Sequence, residues 1–165
     1  MCQGCQNKVV KNVAYRVDHV GSFLRPKELV EAREKFSKGE LSQEELTKVE
    51  DKVIAELVEK QIANGLKGVT DGEFRRAYWH LDFFWGLNGV EHVQGEKGYP
   101  FKGIETKPDT AKVSGKISGE NHPFVAHYKF LRDLVADKKD VTVKLTIPSP
   151  SQLYFELIRT EDHIK

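Results

Sequence analysis

Val69-Thr70-Asp71-Gly72-Glu73-Phe74-Arg75-Arg76 decides the fold of this chain, because here a short apolar run, Lys67 to Thr70, breaks into a turn of acids, glycine and arginines. Just upstream lies a helix with well-marked ends. Ser42-Gln43-Glu44-Glu45 is a capping box: the Ser hydroxyl and the Glu side chain satisfy N–H groups that a first turn leaves free. Leu46, Val49, Val53, Leu57 and Val58 follow at helical spacing, Ile54 and Ile62 widen the stripe, and Asn64-Gly65 ends it. Further back, Ala14 to Val20 reads as a strand entering a Gly21-Ser22 turn, Pro26 opens a helix to Lys38, and Gly39 stops it. Strand, two helices and strand make a β-α-β step, which implies parallel strands and a right-handed crossover.

Downstream, Tyr78 to Leu87 is rich in aromatic residues that read as core. Gly86 to Ile104 carries five glycines among alternating apolar residues and reads as a hairpin or an irregular insertion. Lys112 to Ser118 is a further expected strand, and Pro123 opens a helix through Phe124, Tyr128, Leu131 and Leu134. Val141 to Ile147 is a β-branched strand running into Pro148-Ser149-Pro150-Ser151, with a helix-like Leu153 to Ile158 after it. The alternation predicts an α/β domain with about four parallel strands. A closed (β/α)8 barrel needs eight strands and typically ~250 residues.

The 165 residues are 39% hydrophobic and 31% charged with a net charge of +1, which is soluble globular composition. Residues 1–13 read as a flexible polar arm and 14–165 as the folded unit. The near-neutral balance argues against nucleic acid as a partner. No apolar run reaches the roughly 18 residues of a membrane span, and Met1 precedes no signal-peptide core, so a cytoplasmic protein is expected. Cys2 and Cys5 have CxxC spacing, which suits a metal or a redox pair, yet a second pair is missing and the terminal position favours a loose tail.

The two turns carry the chemistry. Gly21 permits a tight turn that lets the Ser22 hydroxyl and neighbouring N–H groups face a ligand, and N–H groups at a helix start attract carboxylate or phosphate oxygens. Asp71 and Glu73 flank Gly72; without His or Cys beside them, they suit an ammonium group better than a metal. Arg75 and Arg76 offer bidentate carboxylate binding. Acid for amine and N–H or guanidinium for carboxylate together suit an amino-acid substrate, although Gly-Ser and Asp-Gly-Glu, each alone, are commonly only turns. His19 and Ser22 lack a nucleophile-elbow context, so a hydrolase triad is rejected and no catalytic residue is assigned. His92, His122, His127 and His163 have no metal-binding spacing.

Taken in order, three segments resemble the cobalamin-independent methionine synthase family, in particular its short single-barrel members. They are His19-Val20-Gly21-Ser22-Phe23-Leu24-Arg25-Pro26, Thr70 to Arg76, and Lys144-Leu145-Thr146-Ile147-Pro148-Ser149-Pro150, within a match from about Tyr15 to Leu157. The resemblance implies a partial (β/α)8 TIM barrel of about the first four β/α units with an irregular insertion. It implies methyl transfer from methyltetrahydrofolate to homocysteine, forming methionine. Ser22, with Gly21, is then expected to hold the amino-acid carboxylate and Glu73 the amine, with His19 and Arg76 beside them. Tyr154 falls where the family has an aromatic that stacks on folate.

The family's zinc, which holds the substrate sulfur as thiolate, is expected in a full-length member, but its ligands belong to the second half of the barrel and are absent from this chain. The chain therefore reads as an N-terminal half, inactive alone, whose exposed edges would be relieved by homo-oligomerisation or by a missing C-terminal half. Two alternatives stand beside this reading. One is a related zinc- or corrinoid-dependent methyltransferase or uroporphyrinogen-decarboxylase-like barrel. The other is a non-catalytic half-barrel that binds a partner half or an amino acid.

Overall fold

Ser42 starts the longest helix as its capping box requires. The Glu45 N–H donates to Ser42 Oγ (3.3 Å) and the Ser42 N–H donates to Glu45 Oε2 (2.9 Å). This helix, α2 (Gln43–Ala63), ends at Asn64, and Gly65 turns the chain away at φ 84°. Before it, α1 (Lys27–Ser37) begins just after Pro26, and Gly39 follows at φ 74°. The computed structural model describes residues 18–95, 98, 102–103 and 106–159, the last three for the backbone alone. The arm over 1–13, Cys2, Cys5 and His163 lie outside those residues.

The apolar stripe of α2 does what its spacing predicts. Leu46, Val53, Ile54, Leu57 and Val58 are buried, and Leu29 of α1, Val69, Phe74 and Leu131 close the main core with the last four of them. Glu50 and Gln61 are buried on α2 as well, and both have partners described below. On the exposed face, the ion pairs of Lys52 run to Glu28 (2.7 Å) and Glu56 (3.9 Å).

Strand β1 (Gly68–Val69) leaves this core and pairs in parallel with β4 (Thr142–Val143), Gly68 opposite Thr142. The Thr142 N–H donates to the Lys67 carbonyl (2.8 Å) and the Lys144 N–H to the Val69 carbonyl (2.9 Å). Between them come α3 (Leu81–Trp85), β2 (Asn88–Gln94), β3 (Asp109–Ser118) and α4 (Pro123–Leu134), and α5 (Pro150–Arg159) follows β4. Strands β2 and β3 form an antiparallel hairpin with an irregularity between Asn88 and Val90. Gly89 permits it: φ is 77°, and a Cβ there would sit 2.6 Å from the Lys116 carbonyl oxygen. Leu81, Phe84, Val90 and Ala111 make a second, smaller core beneath the hairpin.

The architecture is mixed α/β, and it departs from the sequence expectation in its strands. Among the described residues only β1 and β4 pair in parallel, not about four strands. The strand expected over Lys112–Ser118 forms, extended back to Asp109, but it is half of the hairpin. Propensity marks a strand without naming its partner, and β2 is the neighbour in sequence. The run Val141–Ile147 is regular only at Thr142–Val143, because β1 offers two residues before the Asp71 turn ends the ladder. Of the expected strand Ala14–Val20, residues 18–20 are irregular and the rest lies outside the described residues. The Lys144 ammonium holds this stretch through side-chain chemistry instead, donating to Asp18 Oδ1 (2.6 Å) and to the His19 carbonyl.

Candidate functional site

The turn after β1 is built by backbone conformations that few residues adopt. Gly72 has φ 64° and Glu73 has φ 59°. Two consecutive left-handed residues reverse the chain within one step, and only the first is glycine. A Cβ on Gly72 would meet Leu57 Cδ2 at 2.5 Å and Phe23 at 3.3 Å, so α2 and the Ser22 segment both press on this point. The Gln61 side chain clamps the entry, its amide nitrogen donating to the Thr70 carbonyl (2.8 Å) while its oxygen accepts the Thr70 N–H (3.0 Å). Arg25 clamps the exit, donating to the carbonyls of Glu73 (3.2 Å) and Arg76 (2.7 Å).

That turn delivers the Glu73 carboxylate, which is buried, to the Ser22 segment and to Thr146 after β4. The Ser22 hydroxyl donates to Oε2 (2.6 Å) and the Thr146 hydroxyl donates to Oε1 (3.1 Å). Arg76 Nη1 stands 3.5 Å from Oε1 and donates to Thr146 Oγ1 (3.3 Å), while Nη2 donates to the Thr146 carbonyl (2.8 Å). The Arg76 guanidinium also lies 4.5 Å from the centre of the Phe124 ring. Together with Val20, Gly21, Trp79 and Ile147, these residues line an open cleft of about 430 Å³.

Of the residues singled out in the sequence, Gly21, Ser22, Glu73 and Arg76 come together in this cleft. His19 stands beside it, stacked on Phe23 at 3.8 Å with Nε2 3.0 Å from the Gly21 carbonyl oxygen. Tyr154 is 56% exposed, packs against Phe155, and does not line the cleft. The two arginines part company. Arg75 turns to α2, pairing with Glu50 (3.2 Å) and Asp51, and Arg33 meets Glu50 from the other side (3.0 Å). Arg75 is thus a structural cation rather than a carboxylate fork, and burial pushes the Glu50 carboxyl above its ordinary range against the pull of both arginines.

Asp71 is not in the cleft lining either. It is buried, its Oδ1 accepts the Glu73 N–H (3.0 Å), its Oδ2 makes no hydrogen bond, and burial raises its pKa. Sequence reasoning missed Thr146, Trp79 and Ile147 as cleft residues. The signal for Thr146 and Ile147 is their place in the third of the matched segments; Trp79 belongs to the aromatic run that reads as core, yet it is 51% exposed.

The donors at the cleft do not suit zinc. A zinc site draws on Cys, His and carboxylate ligands, about four in number, whereas the cleft offers one carboxylate, two hydroxyls and a nearby guanidinium. Among the described residues no three His, Cys, Asp or Glu side chains group closely enough to hold a metal ion. Nor, among those residues, is any helix long and apolar enough to cross a membrane. What the cleft does offer is acceptor capacity: beyond the hydrogen bonds from Ser22 and Thr146, the Glu73 oxygens keep lone pairs for a donor group.

Fold and cleft thus define a mixed α/β protein with an open cleft built around one buried carboxylate. No protein-family model matches the chain. It is 43% identical over 152 residues to YxjH and 42% identical over 155 residues to YxjG, two uncharacterized proteins of Bacillus subtilis strain 168. Those matches take in 92% and 94% of this chain but 40% of each relative, so the chain spans well under half of their length. A crystal structure from Listeria monocytogenes, of a protein named as a candidate vitamin-B12-independent methionine synthase, matches at TM-score 0.68 and 44% identity over 84% of this chain and 37% of its own. A B12-independent methionine synthase from Shewanella sp. W3-18-1, solved in complex with selenomethionine, shares the fold at TM-score 0.53 and 24% identity, over 71% of this chain and 33% of its own. Over most of its length the chain is thus similar to a structure named as a candidate vitamin-B12-independent methionine synthase, the family its Ser22, Glu73 and Thr146 segments resemble.

Proposed function

We propose that this chain forms the amino-acid-binding part of a methyltransferase that moves a methyl group from methyltetrahydrofolate to the sulfur of homocysteine, giving methionine. In this reading the Glu73 carboxylate binds the substrate ammonium, and the Ser22 turn, with its backbone N–H groups, binds the carboxylate. Thr146 and Arg76 hold Glu73 in one orientation. The observation that carries it is the convergence on Glu73 of Ser22 and Thr146, from two distant stretches of chain, and of Arg76 from its own turn. These residues bind and orient; none is assigned to the methyl transfer itself.

The same reading makes the chain part of a (β/α)8 barrel. The parallel pairing of β1 with β4 supports it, as do the exposed apolar side chains of Val20, Leu24, Ile147 and Phe155, which further barrel units would cover. The thiol-activating group would then come from residues other than those of the cleft.

A methyl-transfer assay on the full-length protein tests the proposal. With methyltetrahydrofolate and homocysteine, wild type is expected to form methionine, and Glu73→Gln is expected to raise the KM for homocysteine. Transfer that is indifferent to Glu73, or that runs only with a methyl-corrinoid donor, would contradict it.

A further inference from the structure

Glu73 needs more than a carboxylate to work: its backbone must hold a left-handed conformation that a residue with a Cβ adopts at a cost. Gly72 before it is held by the Thr70 hydroxyl, which accepts the Gly72 N–H (3.1 Å), and the Gly72 carbonyl accepts the Phe23 N–H (3.2 Å). The Glu73 N–H itself is held by a single side-chain acceptor, Asp71 Oδ1 at 3.0 Å. That bond closes the ring of an Asx turn and fixes the rotation that carries Glu73 toward Ser22 and Thr146. Asp71 is 4% exposed, and its second oxygen makes no hydrogen bond.

We propose that Asp71 is a positioning residue for the amino-acid site, acting on the ligand only through the left-handed turn that aims Glu73. This rests on Glu73 as the ammonium-binding group. Asp71→Asn retains an Oδ1 acceptor and keeps the turn. Asp71→Ala removes the acceptor. Asp71→Glu keeps the charge but moves the acceptor one methylene too far to close the ring.

The test is calorimetry of the full-length protein with L-methionine, using these three variants, Glu73→Gln, and the Asp71→Ala/Glu73→Gln double variant. Asp71→Ala and Asp71→Glu are expected to bind about tenfold more weakly, the scale of one misplaced charge-assisted hydrogen bond, with Asp71→Asn within about twofold of wild type. The double variant is expected to bind no more weakly than Glu73→Gln alone, because a residue acting through Glu73 has nothing left to position. Should Asp71→Ala not fold, the contrast between Asp71→Glu and Asp71→Asn decides. Additive losses, or equal affinities for Asp71→Glu and Asp71→Asn, overturn the positioning role while leaving Glu73 in place. An unchanged affinity in Glu73→Gln overturns both.

Discussion

The Ser22 hydroxyl donates a 2.6 Å hydrogen bond to Oε2 of Glu73 across 51 positions of sequence. It joins the turn before α1 to the turn after β1 and sets the carboxylate at the cleft. Ser22 is itself exposed, so the bond orients more than it stabilises. Ser22→Ala should cost about 0.5–1.5 kcal/mol of unfolding free energy and weaken amino-acid binding by up to about tenfold, as denaturant titration and calorimetry would read. Loss of stability with unchanged affinity would separate Ser22 from the site.

Gly72 is the tightest point of the turn. Gly72→Ala meets both a left-handed φ of 64° and a contact of 2.5 Å with Leu57 Cδ2. A destabilisation of about 2 kcal/mol or more is expected, beyond the few tenths typical of exposed glycine positions, and urea midpoints would show it. Trimming the obstructing side chain in Leu57→Ala/Gly72→Ala should cost less than the sum of the two single changes.

Adjacent arginines should respond in opposite ways. Arg75→Ala removes one of the two guanidinium partners of buried Glu50 and should lower stability by about 1–3 kcal/mol while leaving ligand affinity near wild type. Arg76→Ala should weaken ligand binding at least as strongly as Ser22→Ala, since it removes the brace on Glu73 and Thr146. Equal effects of the two substitutions on affinity would contradict the division.

His127 supplies a pH signature. Burial, with Arg75 and Arg76 nearby, pushes its pKa from the ordinary 6.5 down to about 4. The unfolded chain therefore binds the proton first as pH falls, and stability contributed by neutral His127 is present above pH 6.5 and lost as pH drops toward 4. His127→Gln should flatten the unfolding free energy across that window relative to wild type. A parallel pH profile for the two proteins would overturn the assignment.

The local signals of the chain were legible because each has a local cause. The Ser42–Glu45 box, Gly39 and Gly65 past helix ends, and Pro123 at a helix start act within one turn, and each element forms where they predict. Pairing direction is not local. Lys112–Ser118 is β-prone whatever it pairs with, so its antiparallel partner β2 could not be read from its own residues. Apolar periodicity likewise passed over Glu50, a buried acid on the core side of α2, because its warrant is a pair of arginines distant in sequence. The meeting of Ser22, Gly21, Glu73 and Arg76 was foreshadowed by two polar turns following apolar runs. Asp71 and Arg75 were not separable from them, because which way each points depends on the left-handed turn at Gly72 and Glu73.

The central claim is that Glu73 anchors the ammonium group of an amino acid, and titration of the full-length protein with L-methionine, wild type against Glu73→Gln, tests it most directly. The Gln variant removes the charge and keeps the shape of the side chain, with one oxygen to accept from Ser22 or Thr146 and an NH2 group facing the other hydroxyl. Saturable binding to wild type, weakened by about tenfold or more in Glu73→Gln at an unchanged melting temperature, is the predicted result. Binding of equal strength to both proteins would contradict the account.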